Sequence, residues 1–271
     1  MSELPRRTQA LGRQLTGQIS DLLLPRACAL CWASGQAMLG QGALCRVCDR
    51  LLRYSSVQVS LASLPLTDLP VATAGSYSFE LARAIGAYKN AGRRDLEPYF
   101  LSALCRAFDL LLNRTAASSL AGQPLYLVPI PSSRASIRRR GFAPAQLLAA
   151  GLARNLGSQG WEARVLPALH QRPAYRTYLQ GGGALLGAQK TLGLEGRRLA
   201  VAQKMELASP VWSLGLASWN LEGRACLLLD DVATSGASME AARILLERQG
   251  ARVLGGLALA RVPKRQSGTG G

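Results

Sequence analysis

Apolar positions change period along the 271 residues, and each change predicts an element. Leu11, Leu15, Ile19, Leu22 and Leu23 recur at helical spacing, which predicts a short amphipathic helix over residues 1–24 that packs on the body. Residues 55–72 carry little charge and contain Pro65 and Pro70, so they read as a linker or as short strands. From 80 to 113 the pattern is helical, through Leu81, Ile85 and Tyr88 and then Leu101, Leu104, Cys105, Phe108 and Leu112. The stretch AGRRD between them divides it into two helices. Residues 125–130 (LYLVPI) read as a buried strand, 131–141 (PSSRASIRRRG) as a loop, and Pro144 as the opening of a helix whose apolar face is Leu147, Leu148, Leu152 and Leu156. Residues 163–169 predict another strand. Residues 225–230 (ACLLLD) predict a buried strand, DVATSG a loop, residues 237–250 a helix, and RVLGGLALA a last strand. Strand, loop, helix and strand in that order make a βαβ unit, so the expected class is α/β with a parallel sheet. Between them, residues 170–221 are rich in Gln and Gly, with Gly181, Gly182 and Gly183 and later Trp212 and Trp219, and show no settled period; such a segment suits a lid or an extra subdomain.

Composition sets the scale. Apolar residues make up 48% of the chain, enough for one mid-sized core and a small appendage. No stretch approaches the ~18 continuous apolar residues of a membrane span. The N-terminus has no compact apolar run before a small-residue cleavage site, so no signal peptide is expected. A cytoplasmic location and reduced thiols follow from that reading. The formal net charge is +16. It is carried almost wholly by Arg, with clusters at Arg93–Arg94, Arg138–Arg140 and Arg197–Arg198. That balance suits either an anionic partner, such as nucleic acid or a phosphorylated substrate, or a generally basic surface.

Four of the six cysteines form two C-x2-C pairs, Cys28/Cys31 and Cys45/Cys48. Each pair sets two thiolates about one tetrahedral edge apart, and two pairs complete a closed four-sulfur shell suited to structural Zn2+. A four-thiolate iron–sulfur site is the remaining alternative. Such a shell leaves no open position for catalysis. Arg46, Arg50 and Arg53 beside it would suit nucleic acid. Cys105 and Cys226 sit among apolar neighbours and read as core thiols.

The most informative stretch is Cys226 to Ser238. An apolar strand ends in Asp230 and Asp231, and a turn of small residues leads into a helix. Backbone N–H groups of that turn and the helix N-terminus suit a phosphate dianion, and Gly236 lets backbone approach a ligand closely. Thr234, Ser235 and Ser238 add hydroxyls. The paired acids can accept hydrogen bonds from two vicinal ribose hydroxyls. Neither G-x-x-x-x-G-K-[ST] nor G-x-G-x-x-G after a strand is present, so triphosphate and dinucleotide sites lack support. His170, the one histidine, reads as a surface or structural residue.

LLLDDVATSGAS resembles the phosphoribosyl-pyrophosphate motif of type I phosphoribosyltransferases. Together with the double C-x2-C, AIGAYKNAGRRD (84–95), LVPIPSSRASIRRRGF (127–142) and RTYLQ (176–180), the chain resembles the ComF family, linked to competence and DNA uptake. The resemblance implies a four-cysteine zinc module over 1–54 and a linker or first strand over 55–79. A type I phosphoribosyltransferase-like domain, with a parallel sheet flanked by helices, would span 80–265, with a flexible tail over 266–271. It implies phosphoribosyl pyrophosphate with Mg2+ as ligand. Asp230 and Asp231 would hold the ribose and Ala233, Thr234, Ser235, Gly236, Ala237 and Ser238 the 5-phosphate. Ser132, Ser133 and Arg134 belong to the loop that meets pyrophosphate, with Arg134 offsetting charge on the leaving group. Lys89, Arg140, Arg176, Thr177 and Gln180 match further family positions. The implied partners are single-stranded DNA and the DNA-uptake machinery. Two functions stay open: phosphoribosyl transfer to an acceptor that the sequence leaves unnamed, and a non-catalytic DNA-binding protein whose phosphoribosyl site is a sensor.

Overall fold

The computed structural model describes residues 27–34, 38, 42–56, 58–115, 123–172, 205–208 and 221–262. The predicted N-terminal helix, Arg176, Thr177, Gln180, Trp212 and Trp219 lie outside them. The elements in chain order begin with α1 (Arg46–Ser56), β1 (Ser60–Leu64), β2 (Thr67–Thr73), α2 (Phe79–Asn90), a 3-10 turn (Arg94–Leu96) and α3 (Glu97–Arg114). They continue with β3 (Leu125–Pro129), α4 (Arg134–Arg140), α5 (Pro144–Ser158), β4 (Ala163–Val165), β5 (Leu169–Gln171) and β6 (Met205–Leu207). The chain closes with β7 (Ala225–Ala233), α6 (Ala237–Glu247) and β8 (Arg252–Arg261).

Six strands form one sheet in the order β1-β2-β8-β7-β3-β4. β1 runs antiparallel to β2, and every later neighbour is parallel. The fold is therefore α/β with a mostly parallel central sheet. Its strands read as continuous apolar runs because both faces are covered. Alternation sends Leu125, Leu127, Leu227 and Leu229 to one face, where they pack with Leu104 and Phe108 of α3 and Leu148 and Leu152 of α5. Tyr126, Val128, Cys226 and Leu228 go to the other face, against Met239, Ala242 and Leu246 of α6. Each fully buried Leu contributes roughly 1.5–3 kcal/mol. The helix pair α3/α5 approaches closely at Gly151, where a Cβ would stand 2.7 Å from Leu101 Cδ1.

β3 and β7 are neighbours, yet their connections leave in opposite directions. β3 passes through α5 to β4 on one side, and β7 passes through α6 to β8 on the other. The carboxyl ends of these two strands flank a topological switch point, the place where open α/β sheets open a crevice for ligands.

The structure differs from the expectation in three places. Residues 131–141 hold the helix α4, not only a loop; Ser133 Oγ accepts from Ser136 N–H, and Gly141 at φ 79° closes the C-terminus. β7 runs on through Ala233, so Asp230 and Asp231 lie within the strand, because β8 continues to pair with it as far as Ala233↔Arg261. The strand expected over 163–169 ends at Val165; a second short strand, β5, starts at Leu169 and pairs with β6 in a separate two-stranded sheet. Residues 60–73 take the strand alternative of their reading, as a hairpin whose second strand pairs with β8. Among the described residues no helix is long and apolar enough to cross a membrane.

Candidate functional site

Asp230 and Asp231 sit at the carboxyl end of β7. Successive strand residues start toward opposite faces, yet the two carboxyl groups turn close enough to interact. Asp230 Oδ1 turns back to accept from the Asp231 N–H at 2.8 Å. Asp231 is buried and pairs with Lys89 Nζ at 2.7 Å. Lys89 reaches it because Tyr88, the preceding residue on α2, is fully buried between Phe100 and Phe142, with ring centroids 5.4 and 5.6 Å away. The aromatic contact pins the last turn of α2, and Phe142 of the Arg140-Gly141-Phe142 sequence completes it. One ammonium serves two neighbouring carboxyl groups. Burial, and then the charge of Asp231, push the Asp230 carboxyl up to about 8.

The turn after β7 is held from below. Gly236, at φ 83°, is the N-cap of α6, so Ser238 lies inside the helix and is not its cap. A Cβ on Gly236 would stand 2.6 Å from Thr67 Cγ2 and 3.0 Å from Leu64 Cβ, so only glycine fits over the β1–β2 turn. That turn is tied on by Leu66 N–H to Ser235 O at 2.9 Å and by the buried Thr67 hydroxyl donating to Glu240 Oε2 at 2.8 Å. The N–H groups of the first turn of α6 have no carbonyl within the helix to accept them. Ser235 Oγ takes one, from Ala237, at 3.4 Å. Thr234 is exposed, Ser235 and Ser238 are half-buried, and Ala233, Gly236 and Ala237 are buried. The hydroxyl-bearing positions thus face outward and the small ones form the floor.

The loop from β3 lies beside the acids: Pro129 pairs with Leu229, and Ile130 N–H donates to Leu229 O at 2.8 Å. Ser132 and Arg134 line a cleft of about 230 Å³ whose other walls include Gln146 of α5 and His170 of β5. Ser133 serves α4 as its cap. Arg140, at the C-terminal end of α4, keeps a buried Nε without a partner. His170 fits the structural half of its reading, as a cross-strand partner. The antiparallel register sets it opposite Glu206, and its Nε2 lies 2.9 Å from Glu206 Oε1. Glu206 carried no signal in the sequence, because its significance arises only from a pairing across 36 positions.

The four cysteines come together. The sulfurs of Cys28, Cys31, Cys45 and Cys48 all lie within 4.8 Å of one another, and Cys31 Sγ to Cys45 Sγ is 3.6 Å. Four thiols at about one tetrahedral edge are a group that could hold one metal ion. Trp32 N–H donates to Cys28 O at 3.0 Å and Cys48 N–H to Cys45 Sγ at 3.5 Å, turns that aim the sulfurs at one point. Burial, and then the neighbouring sulfurs of Cys31, Cys45 and Cys28, push the Cys48 thiol up, a conflict that a bound cation relieves.

No protein-family model matches the chain, and no curated protein matches it.

Arg93 changes role against expectation. Instead of forming an anion site with Arg94, it ties the cysteine module to the body. Its Nη1 donates to Ala27 O at 2.8 Å and its Nη2 to Ala43 O at 3.2 Å, while Asp95 holds the guanidinium at 2.7 Å. Arg94 leans to Glu97 at 4.0 Å. Arg93→Ala is expected to cost about 2–3 kcal/mol in urea unfolding, with Arg93→Lys failing to restore it because an ammonium lacks the fork. An unchanged midpoint for Arg93→Ala would contradict this tie.

Proposed function

We propose that the chain is a ComF-type protein with a type I phosphoribosyltransferase-like domain that binds phosphoribosyl pyrophosphate, beside a four-cysteine module that holds Zn2+. The observation that carries this reading is the acid pair at the carboxyl end of β7, next to the β3–β7 switch point and immediately before the capped turn of α6. Asp230 and Asp231 would accept the ribose hydroxyls. The first-turn amides of α6 and the hydroxyls of Thr234, Ser235 and Ser238 would hold the 5-phosphate. Ser132 and Arg134 stand where the diphosphate would lie. Two carboxyl groups that share one ammonium suit Mg2+ arriving with the ligand, and that ion would offset the diphosphate charge.

In a transfer reaction these residues fix the sugar and orient C1, and Arg134 offsets the charge developing on the leaving oxygen. Lys89 holds Asp231 in place. Transfer and ligand sensing both begin with this binding. Titration calorimetry with phosphoribosyl pyrophosphate and Mg2+ tests it: micromolar binding is expected for the native chain, with a loss of at least about tenfold in Asp231→Asn. Equal affinity in the two would contradict the ribose assignment. Pyrophosphate release, measured with and without acceptors, then separates transfer from sensing.

A second reading, single-stranded DNA on the cysteine module in support of DNA uptake, is favoured by exposed aromatics beside basic residues. Trp32 is 67% and Tyr54 73% exposed, on either side of Arg46 and Arg50. Arg53 is held by Asp49 at 2.9 Å and stacks over Tyr99 at 5.1 Å. The pair of exposed rings, more than Arg53, is the stacking surface. Affinity that falls steeply with salt supports this reading, and affinity indifferent to salt contradicts it.

A further inference from the structure

The cleft beside the β3 loop contains a side-chain arrangement that the phosphoribosyl reading alone does not use. His170 lines it, and Nε2 of the ring is committed to Glu206 Oε1 at 2.9 Å. The other oxygen of Glu206 is taken by Arg172 Nε at 3.1 Å. Gln171 Nε2 donates to Pro131 O at 2.9 Å, which ties β5 to the β3 loop and fixes how far His170 stands from Ser132 and Arg134. A carboxylate on one ring nitrogen sets the orientation of an imidazole and leaves the other nitrogen for a ligand.

We propose that His170 is a ligand-contacting residue of this cleft and presents its free ring edge to the diphosphate arm of phosphoribosyl pyrophosphate. The proposal rests on the phosphoribosyl reading and adds to it a residue from a different sheet.

Two features carry it. The first is position. The turn after β7 leads into α6 and on toward β8, so a sugar held at Asp230 and Asp231 with its 5-phosphate on that turn directs C1 to the opposite side, toward β3. The β3 loop begins one strand over, about 4.8 Å away, and the cleft opens from it. The second is chemistry. The cleft offers the Ser132 hydroxyl, the Arg134 guanidinium and the Gln146 amide, and among the described residues no carboxylate lines it. Glu206, the acid paired with His170, is already met by that ring and by Arg172. Ile130, Ile137 and Leu169 give it an apolar floor that limits water and strengthens contacts to an anion.

His170 is the only histidine in the chain, so every imidazole signal in an NMR spectrum of the full-length protein belongs to it. With Mg2+ present, phosphoribosyl pyrophosphate is expected to move the ring signals and ribose 5-phosphate, which lacks the diphosphate, to leave them in place. His170→Gln keeps an N–H for Glu206 but offers no second ring nitrogen to the cleft. This variant and His170→Ala are expected to weaken phosphoribosyl pyrophosphate about tenfold and to leave ribose 5-phosphate unchanged. A histidine that only ties β5 to β6 would instead lower both affinities alike or neither, and either result overturns the proposal. So do ring signals that stay still while phosphoribosyl pyrophosphate binds. A native chain that binds neither ligand removes the phosphoribosyl reading and this proposal together.

Discussion

Cys45→Ser is expected to lower the melting temperature of the whole chain by about 10 °C or more, an effect of roughly 3–5 kcal/mol. Cys45 is buried, and its sulfur lies 3.6 Å from that of Cys31, so an alcohol in its place breaks the four-thiol shell at its centre. The loss spreads because the module has no separate core. Leu30, Leu44 and Leu52 belong to the same apolar cluster as Tyr88, Phe100 and Leu104. When the shell opens, the face of α2 and α3 beneath it meets water, and the Arg93 tie loses both of its carbonyl acceptors. A chelator is expected to reproduce the effect, and elemental analysis to find one zinc per chain. A Cys45→Ser protein that melts with the native one and contains as much metal would contradict the closed shell.

The second large effect runs in the opposite direction. Asp230→Asn is expected to stabilise the protein at about pH 9 by on the order of a few kcal/mol, roughly 5–10 °C, while abolishing ligand binding. The carboxyl is held up to about 8 in the folded chain, by burial first and by the charge of Asp231 second. In the unfolded chain it titrates near its ordinary value of about 3.9. Between these values the folded state holds the proton more tightly, so native stability falls as pH rises from about 4 to about 8 and the full cost is present above that. An amide removes this dependence, and the variant and native melting curves should converge at about pH 4. Lys89→Met removes the one ammonium at 2.7 Å from Asp231 and is expected to steepen the native decline. Parallel pH profiles for native and Asp230→Asn proteins would contradict the charge account of the acid pair. A site that is more stable without its acid is one shaped for a ligand that brings positive charge or donors to it.

The parts legible in the sequence are those set by local pattern. β7, α6 and β8 follow from an apolar run, a turn of small residues and a helical face, and the four cysteines from spacing alone. The parts that were hidden depend on partners far along the chain. α4 has no buried residue and exists through its Ser133 and Gly141 ends, so periodicity could not reveal it. β2 gains its place from pairing with β8, and β1 from pairing with β2, which no composition of residues 55–72 announces. Arg93 looked like half of a basic pair, but its acceptors are backbone oxygens 66 and 50 positions away. Lys89 was visible only by resemblance; its partner Asp231 shows why the position matters, since two adjacent acids in a strand need a counter-charge. His170 looked solitary because Glu206 reaches it through the register of a two-stranded sheet.

The central claim is that the acid pair and the turn after β7 hold a ribose 5-phosphate. A crystal structure of the full chain with phosphoribosyl pyrophosphate and Mg2+ tests it most directly. The account predicts the ribose hydroxyls on Asp230 and Asp231, the 5-phosphate within hydrogen-bond distance of the amides at 234–238, and the diphosphate directed toward Arg134. Ligand bound elsewhere on the molecule, or a sugar at this edge with its phosphate turned away from the N-terminus of α6, would contradict it.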